Sequence, residues 1–264
     1  MDCLEVDPKY AGPFAQLRLN SCEAVTKFFG ERVPPAVETV YVSPKTLPLP
    51  GVSPLPVFYK QYEYKGPNWR FIGRASKARC EFRNYGAFRQ LGIASPDRVA
   101  CGEQRDAVGR LRRAFVITTA IPHAWPLPQF VEEFCPKRAT AEARRLRTSL
   151  FAELAAMTRQ IHDANFFHHD LVWRNVLVTR DAPAPPKLWW IDCPRGGFGR
   201  LGTRHRRIKD LASLDKVAAQ LATRHERLAF VKQYLDKPRL DAEAKQLVRE
   251  TLAYRQQRWP DEQK

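Results

Sequence analysis

The run FHHDLVWRNVLV, residues 167–178, is the most informative part of this sequence. It places Asp170 five residues before Asn175 and directly ahead of an apolar run, a pattern that predicts a loop leading into a buried strand. A loop aspartate can accept a proton from a substrate hydroxyl, and a loop asparagine can hold a metal ion that bridges phosphate groups. The spacing therefore predicts a loop with two functional side chains.

The motif WWIDCPRGG follows shortly afterwards, and its apolar part ends in Asp192 before a turn rich in proline and glycine. Two short strands are predicted here, 175–179 and 187–191, joined by the connection 181–187 with its three prolines. A hairpin of these strands would bring Asn175 and Asp192 to the same end of a sheet. Asp192 could also be an ordinary turn residue, and its pairing with the first run favours the functional interpretation.

Upstream, the run PVFYKQY predicts a strand over 56–62, with Phe58, Lys60 and Tyr62 on one face. A lysine among apolar residues on a strand face is unusual unless its ammonium group meets an anion. An exposed strand lysine is the alternative for Lys60. Two other lysines compete for the same role, Lys65 and Lys77.

The segment 76–91 is predicted to be a helix that packs one face inward. Its apolar positions recur every three residues at Phe82, Tyr85, Phe88 and Leu91. Glu81 is its only carboxylate, which is either a solvated charge or the partner of the strand lysine.

Taken in this order, the motifs resemble the lipopolysaccharide core kinase family (Kdo/heptose kinases, WaaP/InaA-like) within the protein-kinase-like superfamily. Three further phrases resemble that family: TRQIHDANFFHHD at 158–170, AFVITTAIP at 114–122 and RIKDLASL at 207–214. The resemblance covers roughly residues 45–240, and its catalytic-loop and KDLA phrases are the most specific.

The resemblance implies an α+β, bilobal protein-kinase-like fold. A small β-rich N-lobe over 1–120 would contain strands and one helix carrying Glu81, and a mainly helical C-lobe would cover 121–264. Within the C-lobe, 140–164 is the clearest helix, because its apolar residues follow a three- and four-residue spacing after Thr140 as a candidate N-cap.

The resemblance also implies the roles of single residues in a reaction that uses ATP and Mg²⁺. Asp170 would be the catalytic base, and Asn175 and Asp192 would hold the metal. Lys60 would bind the nucleotide phosphates, oriented by Glu81, and the adenine would lie at the hinge. The implied hinge residues are Thr119 and Ile121, and Asp210 would brace the catalytic loop.

Three departures from the kinase pattern leave a non-catalytic pseudokinase open. The stretch 42–57 has one glycine and five prolines where a glycine-rich loop is expected. Asp-Cys-Pro at 192–194 replaces Asp-Phe-Gly, and Phe58 stands where protein kinases usually have a small alanine. The four main catalytic residues are nevertheless all present.

The chain is strongly basic, with 44 Lys and Arg against 28 Asp and Glu, a net charge of +16 over 264 residues. Such a field attracts polyanions. The cations of 195–209 follow Asp192 and favour an anionic, membrane-attached acceptor such as a lipopolysaccharide core sugar. The cluster Arg144, Arg145 and Arg147 is predicted to be a solvated surface, and aromatic residues are not interleaved with the basic runs as nucleic-acid binding requires.

No apolar run is long enough to span a membrane, and the first residues do not form a signal peptide. The six cysteines are dispersed and contain no CxxC pair, which predicts reduced thiols in a cytoplasmic protein. The membrane-attached acceptor favoured by the basic run extends this expectation to a peripheral position at the cytoplasmic face of the inner membrane. The predicted function is phosphorylation of an inner-core heptose or Kdo hydroxyl. A small-molecule kinase of the aminoglycoside-phosphotransferase type, a protein kinase and a pseudokinase remain as alternatives.

Overall fold

The computed structural model of the protein describes residues 2–30, 39–66, 68–136, 140–180 and 185–260. The chain divides into two compact units. The N-terminal unit contains Met1–Phe88 and Pro96–Ile121, and the C-terminal unit contains Arg89–Ser95 and Pro122–Lys264. The first is rich in antiparallel sheet and the second is mainly helical, which confirms the predicted α+β class.

The N-terminal unit is built on a five-stranded antiparallel sheet with the order β1-β4-β5-β3-β2. Its strands are β1 (Asp2–Val6), β2 (Val40–Leu47), β3 (Leu55–Glu63), β4 (Arg98–Arg105) and β5 (Leu111–Thr119). Its helices are α1 (Ala11–Gln16), α2 (Cys22–Phe29) and α3 (Lys77–Gln90), whose last two residues are counted in the C-terminal unit.

Strand β3 positions the first candidate site residue by the period-two rule. Val57 and Tyr59 are buried in a core cluster on one face of the sheet. Tyr62 lies in a second core cluster with Phe82 of α3. Because side chains alternate along a strand, Lys60 shares the face of Tyr62 and is directed towards α3.

The prediction of a single helix before residue 120 is wrong, because α1 and α2 also form. Helix α2 begins after Ser21, whose hydroxyl accepts a hydrogen bond from the Ala24 amide at 3.1 Å. Its buried residues Cys22, Val25 and Phe29 are spaced three and four apart and pack against the sheet. The signal was present in the sequence, but eight residues are a weak periodic pattern.

The C-terminal unit contains five helices and two small sheets within its described residues, with strand orders β10-β7 and β6-β8-β9. Its helices are α4 (Leu127–Phe134), α5 (Ala141–Asp163), α6 (Thr203–Leu221), α7 (Arg224–Leu235) and α8 (Ala242–Arg258). Its strands are β6 (Trp125–Pro126), β7 (Phe166–Phe167), β8 (Val176–Thr179), β9 (Lys187–Trp190) and β10 (Gly197–Phe198).

Helix α5 confirms the predicted long helix. The Thr140 hydroxyl accepts a hydrogen bond from the Ala143 amide at 3.3 Å, as an N-cap does. Leu150, Leu154 and Ile161 are buried along one face, and the helix ends just before β7 and the catalytic loop.

The predicted hairpin before Asp192 is also confirmed, because β8 pairs with β9 in antiparallel register from Val176 opposite Trp190 to Thr179 opposite Lys187. Residues 181–184 of its predicted connection lie outside the described residues.

One arginine predicted to lie on a solvated surface is buried. Arg147 is 2% exposed, whereas the other two arginines of its cluster are exposed. Its guanidinium group donates to the Glu226 carboxylate at 2.6 and 2.8 Å and to two backbone carbonyls. The sequence contained a sign of this burial, because Arg147 lies three residues before Leu150 on the apolar face of α5.

Candidate active site

Lys60 of β3 and Glu81 of α3 form an ion pair within the N-terminal unit. The Lys60 ammonium group lies 3.1 Å from one carboxylate oxygen of Glu81 and 3.4 Å from the other. Their side chains are 14% and 3% exposed. A carboxylate as buried as Glu81 requires a cation and hydrogen-bond donors. The ammonium group of Lys60 is the cation of this pair, and a phosphate oxygen of a bound nucleotide would be a further acceptor for it.

Two tyrosines complete the surroundings of Glu81. The Tyr62 hydroxyl donates to one carboxylate oxygen at 2.7 Å, and the Tyr85 hydroxyl donates to the other at 3.1 Å. Tyr62 lies two residues after Lys60 on the same strand face, and Tyr85 lies one helical turn after Glu81. Both spacings are visible in the sequence, but they predict only apolar packing. The hydroxyls hold the carboxylate in place on both sides.

The other sequence candidates of the N-terminal unit occupy different positions. Lys65 is exposed after β3, and Lys77 opens α3, where its amide donates to the Tyr64 hydroxyl at 3.0 Å. Thr119 is the last residue of β5, and its hydroxyl accepts a hydrogen bond from the Asp97 amide at 3.0 Å. Ile121 is half-buried at the end of the unit.

We expect Glu81→Gln to lower kcat/KM for ATP roughly 10- to 100-fold, the cost of a misplaced catalytic group. Glutamine keeps the size of the side chain and can accept a hydrogen bond from Tyr62, but it has no charge to hold Lys60. Steady-state turnover across ATP concentrations measures the effect, and Glu132→Gln on an exposed face of α4 is the control. Unchanged kinetics would refute a positioning role for Glu81.

The predicted catalytic loop connects β7 to β8 in the C-terminal unit. Its residue Asp170 is half-buried, and the backbone carbonyl of Asp170 accepts hydrogen bonds from the Val172 amide and from the Asn175 side chain, both at 2.9 Å. His169, directly before it, has a left-handed φ of 62°. A residue with a Cβ adopts this conformation at a cost, so the surrounding contacts must hold it. The loop backbone thus sets the direction of the Asp170 side chain.

Asp210 of α6 is hydrogen-bonded to the backbone of this loop. Its carboxylate oxygens accept hydrogen bonds from the backbone amides of His168 and His169, each at 2.8 Å. The predicted bracing role of Asp210 is confirmed by these contacts. The His162 ring lies 3.3 Å from the same carboxylate and 2.9 Å from the Tyr234 hydroxyl. The sequence does not indicate that His162 contacts Asp210, because 48 positions separate the two residues.

The charge state of Asp210 follows from these contacts. Burial alone would raise the pKa of its carboxyl group, but the hydrogen bonds from His162 and from the loop amide of His168 lower this pKa below the usual value. Burial lowers the pKa of His168, which is therefore neutral at pH 7. The two loop amides are therefore held by a charged carboxylate.

Asp192 follows β9 and is connected to the end of the catalytic loop. The Ile191 amide donates to the Asn175 carbonyl at 3.0 Å, directly before Asp192. Asp192 itself has a left-handed φ of 57°, the second such residue with a Cβ in the site. The C-terminal unit therefore brings Asp170, Asn175 and Asp192 into one region.

The chemistry of Asn175 and Asp192 fits Mg²⁺, which is usually bound by one or two protein oxygens together with phosphate and water. The side-chain nitrogen of Asn175 donates to the Asp170 carbonyl, so its amide oxygen is the atom that can coordinate a metal. The carboxylate of Asp192 would supply the second protein ligand.

The turn after Asp192 packs tightly on the catalytic loop through Gly196. A Cβ added at Gly196 would overlap the Cys193 sulfur and approach the Phe167 carbonyl to 3.0 Å, whereas one added at Gly197 meets nothing. We expect Gly196→Ala to lower turnover at least about tenfold, because the turn must move away from the loop. Gly197→Ala is the matched control and should retain activity. Equal turnover of the two variants would contradict this packing argument.

The five arginines of the basic segment 195–209 divide into two groups. Three arginines contact the protein: Arg204 pairs with Glu250 at 2.8 Å, Arg206 lies 5.7 Å from the Phe167 ring centroid, and Arg207 donates to the His162 carbonyl at 2.9 Å. Arg195 and Arg200 are exposed beside the turn. Only part of this segment is therefore placed to meet an external anion.

Comparisons with known proteins agree with this geometry. The sequence profile of a family described as "Lipopolysaccharide kinase (Kdo/WaaP) family" matches residues 66–234. No curated protein sequence matches the chain. A solved structure described as "WaaP in complex with acyl carrier protein" has a TM-score of 0.71 and 20% sequence identity, and the match covers 99% of this chain and 100% of that chain. The kinase-like fold predicted from the motifs is confirmed.

Proposed function

Because the chain belongs to the lipopolysaccharide kinase (Kdo/WaaP) family and is a phosphotransferase with an alcohol acceptor, we propose that it phosphorylates a sugar hydroxyl of the lipopolysaccharide inner core, a heptose or Kdo, with ATP as donor. One observation carries this proposal. Hydrogen bonds join the loop of Asp170 and Asn175 to the segment before Asp192, so that the three residues lie in one region.

In the proposed reaction, Asp170 accepts the proton of the sugar hydroxyl as the hydroxyl oxygen attacks the γ-phosphorus of ATP. The bond between the γ-phosphorus and the oxygen that bridges it to the β-phosphorus breaks, and ADP leaves. The Asn175 amide and the Val172 amide hold the Asp170 backbone, so the carboxylate stays in position during the transfer. Asn175 and Asp192 would hold Mg²⁺, which supplies charge neutralisation at the phosphate oxygens when bound.

Lys60 would bind the α- and β-phosphates through its ammonium group. Glu81 fixes the direction of that group, and the hydroxyls of Tyr62 and Tyr85 fix Glu81 in turn. Thr119, the last residue of β5, and Ile121, two residues later, are the proposed contacts of the adenine, by analogy with the hinge of kinases.

The proposed acceptor is anionic and attached to a membrane. Exposed Arg195 and Arg200, next to the turn that follows Asp192, would bind phosphate or carboxylate groups of the core sugars. None of the helices in the described ranges is long and apolar enough to cross a membrane. Because the proposed reaction joins ATP with a membrane-attached acceptor, we propose that the protein acts at the cytoplasmic face of the inner membrane as a peripheral enzyme.

The test is transfer of labelled phosphate from ATP to purified lipopolysaccharides with truncated cores. Label in a core that contains heptose and Kdo supports the proposal, and loss of label in a core without heptose identifies heptose as the acceptor. Label in an aminoglycoside but in none of the cores would support the small-molecule kinase instead. ATP binding without transfer to any acceptor would indicate a pseudokinase.

A cavity in the C-terminal unit favours an additional partner. The cavity has a volume of about 250 Å³ and lies between α5, α6, α7 and α8, with mostly apolar walls. Trp173 and Thr251 line it, and each has a buried polar atom without a hydrogen-bond partner among the described residues. We propose that the cavity holds the acyl chain of an acyl carrier protein, the partner named for the similar WaaP structure.

Mass spectrometry of the purified, undenatured protein tests this proposal by detecting a bound acylated carrier protein. Ala218→Phe would fill the cavity and should remove the carrier protein, whereas Ala219→Phe on the exposed side of the same helix should retain it. Equal retention by both variants would argue against the cavity as the acyl site.

A further inference from the structure

Two separate segments of the N-terminal unit are joined into one surface by Arg105. These are residues 68–74, which follow β3, and the turn between β4 and β5. One guanidinium nitrogen of Arg105 donates to the carbonyls of Phe71 at 2.8 Å and Gly109 at 3.1 Å, and another donates to the Arg74 carbonyl at 2.7 Å. Since the planar guanidinium fork holds both segments, their mutual position is part of the fold.

On this surface one ring packs inward and three apolar side chains face solvent. Phe71 packs edge-on against Tyr64 at a centroid distance of 4.9 Å, next to the core. Trp69, Ile72 and Val108 are 58%, 42% and 59% exposed. We call these three side chains the apolar patch. Three large apolar residues grouped on two joined segments mark an interaction surface more than scattered ones do.

The charge around the apolar patch is positive. The segment 65–74 contains Lys65, Arg70 and Arg74 and no acidic residue. Arg70 and Arg74 are exposed. In the neighbouring turn, the only acid is Asp106, and its carboxylate is bound by the Arg110 and Arg112 side chains at 2.8 and 2.9 Å.

Trp69 has the properties of a residue at a membrane surface. Its ring is large and apolar, and its indole N–H can donate to a polar headgroup. The Arg110 guanidinium lies 5.2 Å from the ring centroid and so adds a cation beside it. Isoleucine and valine next to exposed arginines complete an arrangement that pairs a shallow apolar anchor with anionic headgroups.

We propose that the apolar patch and its arginines dock the protein on a bilayer that contains anionic lipids. The apolar side chains enter the headgroup region, and Arg70 and Arg74 bind lipid phosphates. The arginines around the patch suit anionic lipid headgroups, whereas an apolar groove of another protein would leave them without partners. A bilayer is therefore the better partner. This docking takes only one element from the proposed function, namely that the substrate is attached to a membrane. The apolar patch itself follows from its own residues.

Co-sedimentation of the full chain with vesicles tests the docking. The protein should bind vesicles of phosphatidylcholine with phosphatidylglycerol, and at least about tenfold more weakly to phosphatidylcholine alone. Trp69→Ser/Ile72→Ser/Val108→Ser should weaken binding to the mixed vesicles by a similar factor, and Arg70→Glu/Arg74→Glu should remove the preference for anionic lipid. Because these side chains are exposed, the variants should melt like the wild type.

Matched changes elsewhere are the controls. Val52→Ser replaces another exposed valine, and Lys245→Glu/Arg249→Glu changes the net charge by the same amount on α8. Wild-type binding by the controls, together with loss in the patch variants, supports the proposal. Equal binding by patch and control variants overturns it, as does binding that does not depend on anionic lipid.

The docking and the kinase reaction can fail separately. Phosphate transfer to a delipidated, water-soluble core sugar should be unchanged in the patch variants, since the patch is not part of the catalytic machinery. Absence of transfer in the wild type would refute the proposed function and leave the vesicle result standing.

Discussion

Asp170→Ala is expected to lower phosphate transfer by about 10²–10⁴-fold, the usual contribution of a general base. The fold and the affinity for ATP should be nearly unchanged. The reason lies in the backbone, because the Asn175 side chain donates to the carbonyl of Asp170 and not to its carboxylate. The variant therefore removes the proton acceptor while the loop and the proposed metal ligands stay in place. Single-turnover transfer to the core sugar measures the chemical step directly.

The control for Asp170→Ala is Asp163→Ala, which removes a carboxylate that is 54% exposed at the end of α5. It should transfer phosphate at the wild-type rate. Equilibrium binding of ATP to the Asp170 variant separates lost chemistry from lost binding. Transfer by Asp170→Ala at the wild-type rate would rule Asp170 out as the base.

Asp210→Asn is expected to destabilise the protein by about 3–5 kcal/mol and to abolish most activity. The carboxylate accepts two backbone amides of the catalytic loop, whereas an asparagine oxygen would replace only one acceptor and its NH₂ group would face the other amide. Such a loss is a large share of the stability of a typical domain. Urea unfolding followed by circular dichroism measures it, with Asp236→Asn at an exposed site as the control.

The stability of the protein should also depend on Asp210 at low pH. Its pKa is lower in the folded state than in the unfolded chain, where the usual value is about 3.9. The stabilisation is therefore fully present above that value and is lost as the pH falls through the folded-state pKa. Unfolding curves between pH 7 and acid should show a smaller decline in Asp210→Asn than in the wild type. Parallel declines would mean that Asp210 does not carry this dependence.

The sequence predicted the site best where a motif is local. The Asp170 loop, the hairpin before Asp192 and the helix α5 each lie within one continuous stretch, and the structure has them at nearly the predicted bounds. The strand of Lys60 and the helix of Glu81 were predicted separately by their periodicity. Their 3.1 Å contact joins residues that are 21 positions apart.

Contacts across long separations were not predictable in the same way. Nothing in the sequence around His162 distinguishes a histidine bound to Asp210 and Tyr234 from one on the surface. Residue type favours a surface position for Arg147, because arginines usually lie there, whereas its position on the apolar stripe of α5 favours burial. The cavity likewise depends on how four helices pack, which single-helix patterns do not specify.

The walls of that cavity include two residues that are also linked to the candidate active site. Trp173 lies in the loop between Asp170 and Asn175. The Tyr234 hydroxyl is hydrogen-bonded to His162, which in turn contacts Asp210. Suppose that an occupant binds only when both of these side chains are in place. It then binds only those protein molecules whose catalytic loop is ordered, and it raises the population of the state that can carry out the reaction. Thermodynamic linkage makes the effect mutual: whatever factor the occupant adds to nucleotide affinity, the nucleotide adds to the affinity for the occupant. For the proposed acyl chain as the occupant, filling of the cavity and nucleotide affinity are therefore expected to rise together.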